Sequence, residues 1–328
     1  MLQTRAMGDD LGVAVDLGAT RVRVCVGSSS GKLSRRKTMV MRITPEVDDY
    51  LGQLVRLVSR TIEGVKVGGV CVASPGPLDL KRGMITGTAN LPYPEVPIVD
   101  ALQDALGTNV HLVNDANAAA LGEWLWGAGR GLRNVFYLTI STGIGGGAIV
   151  DGRLLLGKEG NAAEVGHVTI DSRGELTCGC GRKGHWEAYC SGRGIPKLAN
   201  LMSSRFAEGE KRGFSGSPLA GPRAYGDAPS VFKAAAKGDR FAKRVVAEVG
   251  RLNAIGVANV TDTFDPQLLT IGGGVALNNP EMVVPPIKKI APDYAINRVP
   301  EIRMTPLGDD AGLLGALSAA LDPSLIGE

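Results

Sequence analysis

The chain has 328 residues, of which 44% are hydrophobic, and a formal net charge of +3. This length and composition predict roughly two domains with a substantial core, and the small, dispersed charge argues against a nucleic-acid partner. No apolar run approaches the ~20 residues of a membrane span, and the N-terminal residues lack the apolar stretch of a signal peptide. We therefore expect a soluble protein of the cytoplasm.

The first third of the chain alternates between strand and helix patterns. The spacing of apolar and β-branched residues distinguishes the two. Strands are predicted over residues 11–27 (a hairpin), 32–43, 67–73 and 110–113, and helices over residues 45–63, 96–106 and 114–126.

A second half with a similar pattern begins near Gly127. Strands are predicted over residues 134–140, 145–150, 153–156, 267–271 and 301–305, and helices over residues 239–264 and 309–321, the last capped by Asp309 or Asp310. Residues 203–230 are polar and rich in Gly and Pro, which indicates a long surface loop in preference to a ligand lid. Because each half starts with a hairpin whose turn carries Gly and Thr, the pattern indicates a weak internal duplication with ligands in the cleft between halves.

Glycine is unusually frequent, with 46 residues, and three of its clusters suit phosphate binding. In Asp16–Thr20 (DLGAT) backbone N–H groups and a Thr hydroxyl offer a phosphate cradle; Asp16 either orients a hydrated Mg²⁺ or simply caps the turn. The residues Gly143 and Gly145 match a dinucleotide fingerprint, but a hairpin follows where that motif needs a helix, so we expect a second phosphate loop. Gly272–Gly274, between a strand and a helix, adds backbone donors for a nucleotide.

Asn114 and Asp115 follow an apolar strand and precede a helix. Both residue types are favoured helix N-caps. The alternative is a catalytic base at the carboxyl end of a strand, where open α/β sheets bind ligands, kept ionised by the helix N-terminus. Such a base suits proton removal from an alcohol during phosphoryl transfer.

The segment from Glu164 to Glu187 concentrates two of the three His and two of the five Cys. Two Cys ligands one residue apart, Cys178 and Cys180, with His167 and His185 on either side, predict a four-ligand zinc site. Cys190 is a rival to His185 as the fourth ligand, but it falls in a predicted helix. The acids Glu164 and Glu187 would lie beside the metal.

Taken together, these motifs resemble the ROK family of sugar kinases and repressors. The resemblance covers most of the chain and rests on the order of DLGAT at Asp16, SPG at Ser74, ND at Asn114, STGIGG at Ser141, EVGH at Glu164, CGCGRKG at Cys178 and GGG at Gly272. It implies an α/β, actin-like ATPase (hexokinase-type) fold with duplicated sheet-and-helix halves and an interdomain cleft. Residues 1–117 with 308–328 would form a small N-terminal domain completed by the final helix, and residues 118–307 the large C-terminal domain.

The resemblance also implies roles for individual residues. Asp115 would be the general base for ATP- and Mg²⁺-dependent phosphorylation of a hexose, with glucose as the expected acceptor, at its 6-hydroxyl. The expected sugar-binding residues are Gly76, Asn90, Asn114, Asp115, Glu164, His167 and Glu187. ATP would be held by Asp16, Gly18, Ala19, Thr20, Arg21, Thr142, Gly143, Gly145, Gly272, Gly273, Gly274 and Val275, and a structural Zn²⁺ by His167, Cys178, Cys180 and His185.

This chain departs from the family pattern at two positions. The family usually has a third Cys where this chain has His185, and imidazole is also a good zinc ligand, so we expect a Cys₂His₂ site. The phosphate loop has Ala19 where Gly is usual, and a methyl group is tolerated there unless the position needs positive φ.

Alternative functions within the family remain open. The acceptor could be N-acetylmannosamine, N-acetylglucosamine, fructose or mannose, and the donor ADP or polyphosphate. A repressor that binds sugar without turnover carries an N-terminal helix-turn-helix, for which the roughly ten residues before the first strand leave no room. The resemblance also implies a homodimer.

Overall fold

The computed structural model describes residues 10–18, 21–87, 91–209 and 226–327. Three candidate site residues, Ala19, Thr20 and Asn90, lie outside the described residues. Among the described residues, no helix combines the length and apolarity needed to span a membrane.

The predicted alternation of strands and helices is present. The strands are β1 Leu11–Leu17, β2 Arg21–Ser28, β3 Leu33–Val40, β4 Gly69–Ser74, β5 Leu78–Asp79, β6 Met84–Thr86, β7 Glu95–Val96, β8 Val110–Asn114, β9 Val135–Ile140, β10 Ile144–Val150, β11 Arg153–Leu154, β12 Leu268–Gly272 and β13 Glu301–Met304. The helices are α1 Val47–Ile62, α2 Ile98–Leu106, α3 Asp115–Trp126, α4 Trp186–Cys190, α5 Gly194–Gly209, α6 Ala228–Ala236, α7 Arg240–Phe264, α8 Gly274–Asn278, α9 Pro280–Ile290 and α10 Ala311–Leu321.

The strands form two five-stranded sheets with the same internal arrangement. The first has the order β3-β2-β1-β4-β8 and the second the order β11-β10-β9-β12-β13. In the first sheet β1 pairs antiparallel with β2 and parallel with β4, and β4 pairs parallel with β8. In each sheet, three consecutive strands (β1–β3 or β9–β11) lie side by side, and two later strands (β4 and β8, or β12 and β13) follow next to the first of the three. The predicted internal duplication agrees with this repeated order. A small sheet, β5-β6-β7, was not predicted.

Buried positions follow the sequence pattern. Strands β1 and β4 are apolar on both faces and are buried almost throughout, as expected for strands covered on both sides. Helix α1 instead buries one stripe, formed by Tyr50, Leu51, Leu54, Leu57, Val58 and Thr61. Helix α10 packs against α3, β1 and β4, which brings the end of the chain back to its beginning.

The chain separates into two compact units. The first contains the described residues up to Tyr137, Gly147–Ala163 and the described residues from Asp309 onward; the second contains Leu138–Gly146 and the described residues of Glu164–Gly308. The first unit thus places residues 118–137 and 147–163 with the N-terminal segment, whereas the predicted domain boundary lies at residues 117 and 118. That domain division stays a prediction.

Two local predictions were wrong. Residues 203–209 belong to α5 and residues 228–230 to α6, so these parts of the predicted loop are helical, and residues 210–225 lie outside the described residues. The helical spacing of Ile195, Leu198 and Ala199, all buried, had been obscured by the polar residues that follow. Asp310 occupies the N-cap position of α10 without a side-chain capping bond. Its carboxylate instead accepts two hydrogen bonds from Arg36 on β3, at 2.8 and 2.7 Å.

Candidate active site

The predicted site residues fall into a group in each unit. Asp16, Gly18, Arg21, Gly76, Asn114 and Asp115 belong to the first unit. Thr142, Gly143, Gly145, Glu164, His167, Glu187, Gly272–Val275 and the Cys/His residues belong to the second. The geometry of each group is described within its own unit.

Asp115 is the first residue of α3, directly after β8. The turn between them is closed by Asn114, whose side-chain oxygen accepts from the backbone N–H of Ala116 at 2.9 Å and of Asn117 at 3.2 Å. Asn114 is therefore the N-cap, and capping occupies its side-chain oxygen while its Nδ2 group is not part of the cap. Because Asn114 caps the helix, Asp115 is the first helical residue, and its carboxylate lies at the carboxyl end of the parallel strand β8.

The pKa of Asp115 is raised from 3.8 to about 6. Burial is the largest cause and the nearby charge of Asp16 adds to it, while backbone N–H groups favour the ionised form. The helix N-terminus was expected to keep this carboxylate ionised; its backbone N–H groups do lower the pKa, although burial and Asp16 raise it by more. A carboxylate with this pKa is ionised at neutral pH and is a stronger base than an ordinary aspartate.

Asp16 is the second-last residue of β1, and its charge acts on Asp115. It forms an ion pair with Arg23, its register partner on β2, whose Nε lies 2.8 Å from Asp16 Oδ2. Both described hydrogen bonds from Arg23 go to Oδ2. The hairpin turn is closed by Gly18 N–H donating to Arg21 O at 2.9 Å.

In the second unit, Glu187 on α4 holds the turn between β9 and β10. Its Oε2 accepts from Ile144 N–H at 2.9 Å, and its Oε1 lies 3.4 Å from Cys178 Sγ. A Cβ at Gly143 would lie 2.5 Å from Glu187 Oε2, so the position tolerates only Gly while the carboxylate stays there. The same turn is bonded from the other side, by Gly192 N–H to Ser141 O at 2.7 Å.

The Gly272–Gly274 turn also requires a glycine, at Gly273. Gly273 has φ +85° and lies between β12 and α8. A Cβ there would lie 2.6 Å from Ile140 O, so the turn packs directly on the backbone of β9. Its backbone N–H groups and that of Val275 lie at the start of a one-turn helix.

The four predicted metal ligands lie together. One ligand atom each from His167, Cys178, Cys180 and His185 falls within 4.8 Å of the others. The Nδ1 atoms of the two imidazoles are 3.3 Å apart, Cys178 Sγ lies 3.7 Å from His167 Nδ1, and Cys180 Sγ lies 3.3 Å from His185 Nδ1. Cys190 is not part of this cluster, because its fully buried thiol faces Val249 O on α7.

These distances fit a tetrahedral zinc site. Bond lengths of about 2.0 Å to nitrogen and 2.3 Å to sulfur place two ligand nitrogens about 3.3 Å apart and a nitrogen and a sulfur about 3.5 Å apart. Burial raises the pKa of the Cys178 thiol to about 12 and lowers that of His185. Without a cation, the site thus favours neutral thiol and neutral imidazole, and a bound metal would supply the charge that stabilises thiolates.

His167 joins this cluster to a carboxylate. Its Nδ1 points to the cluster, and its Nε2 lies 3.8 Å from Glu164 Oε2. Glu164 precedes a 3₁₀ turn, Val165–His167, whose last residue is His167, and a Cβ at Gly166 in this turn would lie 2.0 Å from Ile144 O. The close packing of that turn on β10 sets the positions of Glu164 and His167.

Two supporting interactions were not expected from the sequence. Trp186, fully buried, donates from Nε1 to Asn253 Oδ1 on α7 at 2.8 Å and so anchors the residue before Glu187. The Tyr189 hydroxyl donates to Asp171 Oδ2 at 2.6 Å and holds the loop that leads to Cys178. No local signal could have identified these pairs, since their members lie on elements far apart in sequence.

Comparison with known proteins decides the family. The ROK family model matches residues 12–322. The chain belongs to the ROK family. It is 38% identical over 316 residues to a glucokinase of Aeropyrum pernix, a match that covers 94% of this chain and 96% of that protein.

Solved ROK structures are similar over nearly the whole chain. A ROK hexokinase from Thermus thermophilus has a TM-score of 0.80 at 33% identity, covering 96% of this chain and 99% of that one. A ROK glucokinase from Streptomyces griseus, in complex with glucose and AMPPNP, has a TM-score of 0.78 at 30% identity, covering 95% and 99%. The predicted α/β class and actin-like fold of this ROK protein are confirmed.

Proposed function

We propose that this ROK protein catalyses ATP-dependent phosphorylation of a hexose, with glucose as acceptor, at the 6-hydroxyl. The observation that carries the proposal is Asp115, which lies at the carboxyl end of β8 with a pKa of about 6. The likeness to a glucokinase of Aeropyrum pernix and to the Streptomyces griseus glucokinase with glucose and AMPPNP supports the choice of acceptor and donor.

Asp115 acts as the general base. It accepts the proton of the sugar 6-hydroxyl while that oxygen forms its bond to the γ-phosphorus of ATP. The bond from the γ-phosphorus to the β–γ bridging oxygen breaks, and ADP leaves with the electron pair. Because phosphoryl transfer depends mainly on positioning and charge neutralisation, the base needs correct placement more than exceptional strength.

The remaining candidate residues bind the two substrates. Acidic, amide and imidazole side chains suit an array of sugar hydroxyls, and we assign this role to Asn90, Asn114, Glu164, His167 and Glu187, with Gly76 contributing through its backbone. Backbone N–H groups of the turns at Asp16–Arg21, Thr142–Gly145 and Gly272–Val275 suit ATP. A bound Mg²⁺ would neutralise charge on the phosphates. Asp16 Oδ1 fits a contact to its water shell, because the bonds from Arg23 go to Oδ2.

The Cys/His cluster would hold a structural zinc. Its four ligands are His167, Cys178, Cys180 and His185, whose spacing suits tetrahedral coordination. His167 would bind the metal through Nδ1, which would leave Nε2, 3.8 Å from Glu164 Oε2, available to a sugar hydroxyl. We also retain the expectations of a cytoplasmic location and a homodimer.

An assay that varies both the sugar acceptor and the phosphoryl donor tests the function. Purified protein is given glucose, mannose, fructose, N-acetylglucosamine or N-acetylmannosamine, each with Mg²⁺ and with ATP, ADP or polyphosphate, and sugar phosphate is measured. We expect the highest kcat/KM for glucose with ATP. A higher value for an N-acetylated sugar would reassign the acceptor, and no turnover with any pair would overturn the kinase function.

A further inference from the structure

Asn161 makes an unusual pair of contacts with a distant backbone segment. Its Nδ2 donates to Leu78 O at 2.9 Å, and its Oδ1 accepts from Leu78 N–H at 3.0 Å. The carboxamide thus satisfies both backbone groups of one residue, as a neighbouring strand would do. Nδ2 also lies 3.3 Å from Glu159 O within its own loop. All of these residues belong to the first unit.

The segment that Asn161 holds includes a predicted sugar-binding position. Leu78 is buried and begins β5, two residues after Gly76. The loop reinforces the contact at Gly160, where a Cβ would lie 2.2 Å from Leu80 Cδ1. The turn after β4 is therefore fastened to residues 157–163 by hydrogen bonds and by close packing.

The loop that carries Asn161 leads directly to another predicted sugar-binding residue. Ala163, the residue before Glu164, has φ +62°, a left-handed conformation that is unfavourable for a non-Gly residue. Such a conformation persists only where surrounding contacts enforce it. The bonds of Asn161 and that of Ala162 N–H to Leu156 O at 3.0 Å provide this enforcement.

We propose that Asn161 is a positioning residue for sugar binding, which ties the backbone next to Gly76 to residues 157–163, the segment that precedes Glu164 in the chain. The inference rests on the proposed function, because it assumes that Gly76 and Glu164 contact the acceptor. Asn161 itself contacts backbone and not substrate. Its loss would loosen two parts of the acceptor site while leaving the ATP-binding turns in place.

An isosteric substitution separates this role from simple packing. Asn161→Asp keeps the shape and the acceptor for Leu78 N–H, but it places a carboxylate oxygen against the carbonyls of Leu78 and Glu159. Two attractive contacts become repulsive. Asn161→Ala removes all three contacts and serves if the Asp variant does not fold. Asn134→Asp is the matched control, since Asn134 also accepts a backbone N–H, that of Asp151, at 2.8 Å.

Steady-state kinetics and hydrogen exchange test the proposal together. In Asn161→Asp we expect the KM for glucose to rise about 10- to 100-fold and the KM for ATP to stay within about twofold. The amides of Gly76, of residues 78–80 and of residues 157–163 should exchange faster than in the unchanged protein, and Asn134→Asp should match the unchanged protein in both measurements.

Each outcome decides between the two proposals. If the unchanged protein phosphorylates glucose and the Asn161 variants keep its KM, the positioning role is wrong while the function stands. If the unchanged protein phosphorylates no sugar, the function fails, and calorimetric affinity for glucose replaces KM in the same comparison. If hydrogen exchange in both segments is unchanged in the Asn161 variants, the positioning role is wrong whatever their activity.

Discussion

At the scale of single residues, opposing electrostatic effects set the pKa of Asp115. Burial and the charge of Asp16 raise its pKa, and the backbone N–H groups at the start of α3 oppose them. The resulting pKa of about 6 leaves the carboxylate ionised at neutral pH while increasing its proton affinity. The ion pair of Arg23 with Asp16 limits this increase, because it partly neutralises the charge that acts on Asp115.

The pH dependence of kcat/KM tests this balance. If Asp115 is the base, kcat/KM for glucose should fall on the acid side with an apparent pKa of about 6. Asp16→Asn should move this midpoint to lower pH, because it removes a charge that raises the pKa of Asp115, whatever it does to the maximal rate. A midpoint that stays in place in Asp16→Asn would contradict the proposed interaction.

The same carboxylate should cost stability. Its folded-state pKa lies above the unfolded value, so the cost is absent below pH about 4, grows as pH rises to about 6 and is complete above that. Asp115→Asn should lower kcat by about 10²–10⁴-fold with sugar binding largely kept. It should also raise the free energy of unfolding at pH 8 by up to ~3 kcal/mol, and by much less at pH 4. Denaturant unfolding at both pH values measures the difference, and equal gains would exclude an electrostatic origin.

At the scale of elements, backbone hydrogen bonds within the segment from Glu164 to Glu187 hold it in a defined conformation. Bridges pair Thr169 with His185 and Thr177 with Lys183, and Trp186 N–H donates to Val168 O at 3.0 Å. The segment then ends in α4, which Trp186 anchors on α7. Zinc would therefore complete a segment whose backbone is already bonded, and its main effect should be on the orientation of His167 and Glu187.

Metal analysis tests the cluster directly. We expect about one zinc per chain. Cys180→Ser should lose most of it, and His185→Cys should retain it because thiolate can replace imidazole. Cys190→Ala is the matched control and should keep the metal, since its thiol faces Val249 O. Atomic absorption on purified protein gives the ratio; retained zinc in Cys180→Ser, or zinc loss in the Cys190 variant, would contradict the ligand set.

At the scale of the whole molecule, the end of the chain completes the unit in which it begins. Helix α10 packs on α3 through glycines, at distances that exclude any side chain. A Cβ at Gly315 would lie 1.6 Å from Ala118 O, and a Cβ at Gly122 would lie 2.1 Å from Ala311 O. Because α3 starts at Asp115, the packing of α10 on α3 helps to fix the position of the proposed base.

Two glycine substitutions should have opposite effects on stability. Gly315→Ala forces α10 away from α3 and should lower the free energy of unfolding by about 2–4 kcal/mol. Gly52→Ala lies on α1, where a Cβ meets only the flexible end of Arg56 at 3.2 Å, and should raise it by up to ~1 kcal/mol. Thermal or denaturant unfolding measures both, and a neutral Gly315→Ala would show that the helices can separate without cost.

Local patterns in the sequence determine much of this protein. Alternation predicts the hairpins, helical spacing predicts α1, α3 and α7, and the order of motifs identifies the ROK family. The placement of Asp115 between a buried strand and a helix is also local, because strand and helix periods differ within a few residues. Hence the fold class and the candidate base are accessible from the sequence.

Only the tertiary structure decides how individual side chains are used. It assigns the oxygen of Asn114 to capping, directs Asp310 to Arg36, and turns Cys190 toward α7, away from the metal ligands. It also brings Asn161 to Leu78, 83 residues earlier in the chain. The contacts of Asp310, Cys190 and Asn161 depend on partners distant in sequence, and the pKa of Asp115 depends on burial. Such partners leave no periodic trace in the sequence.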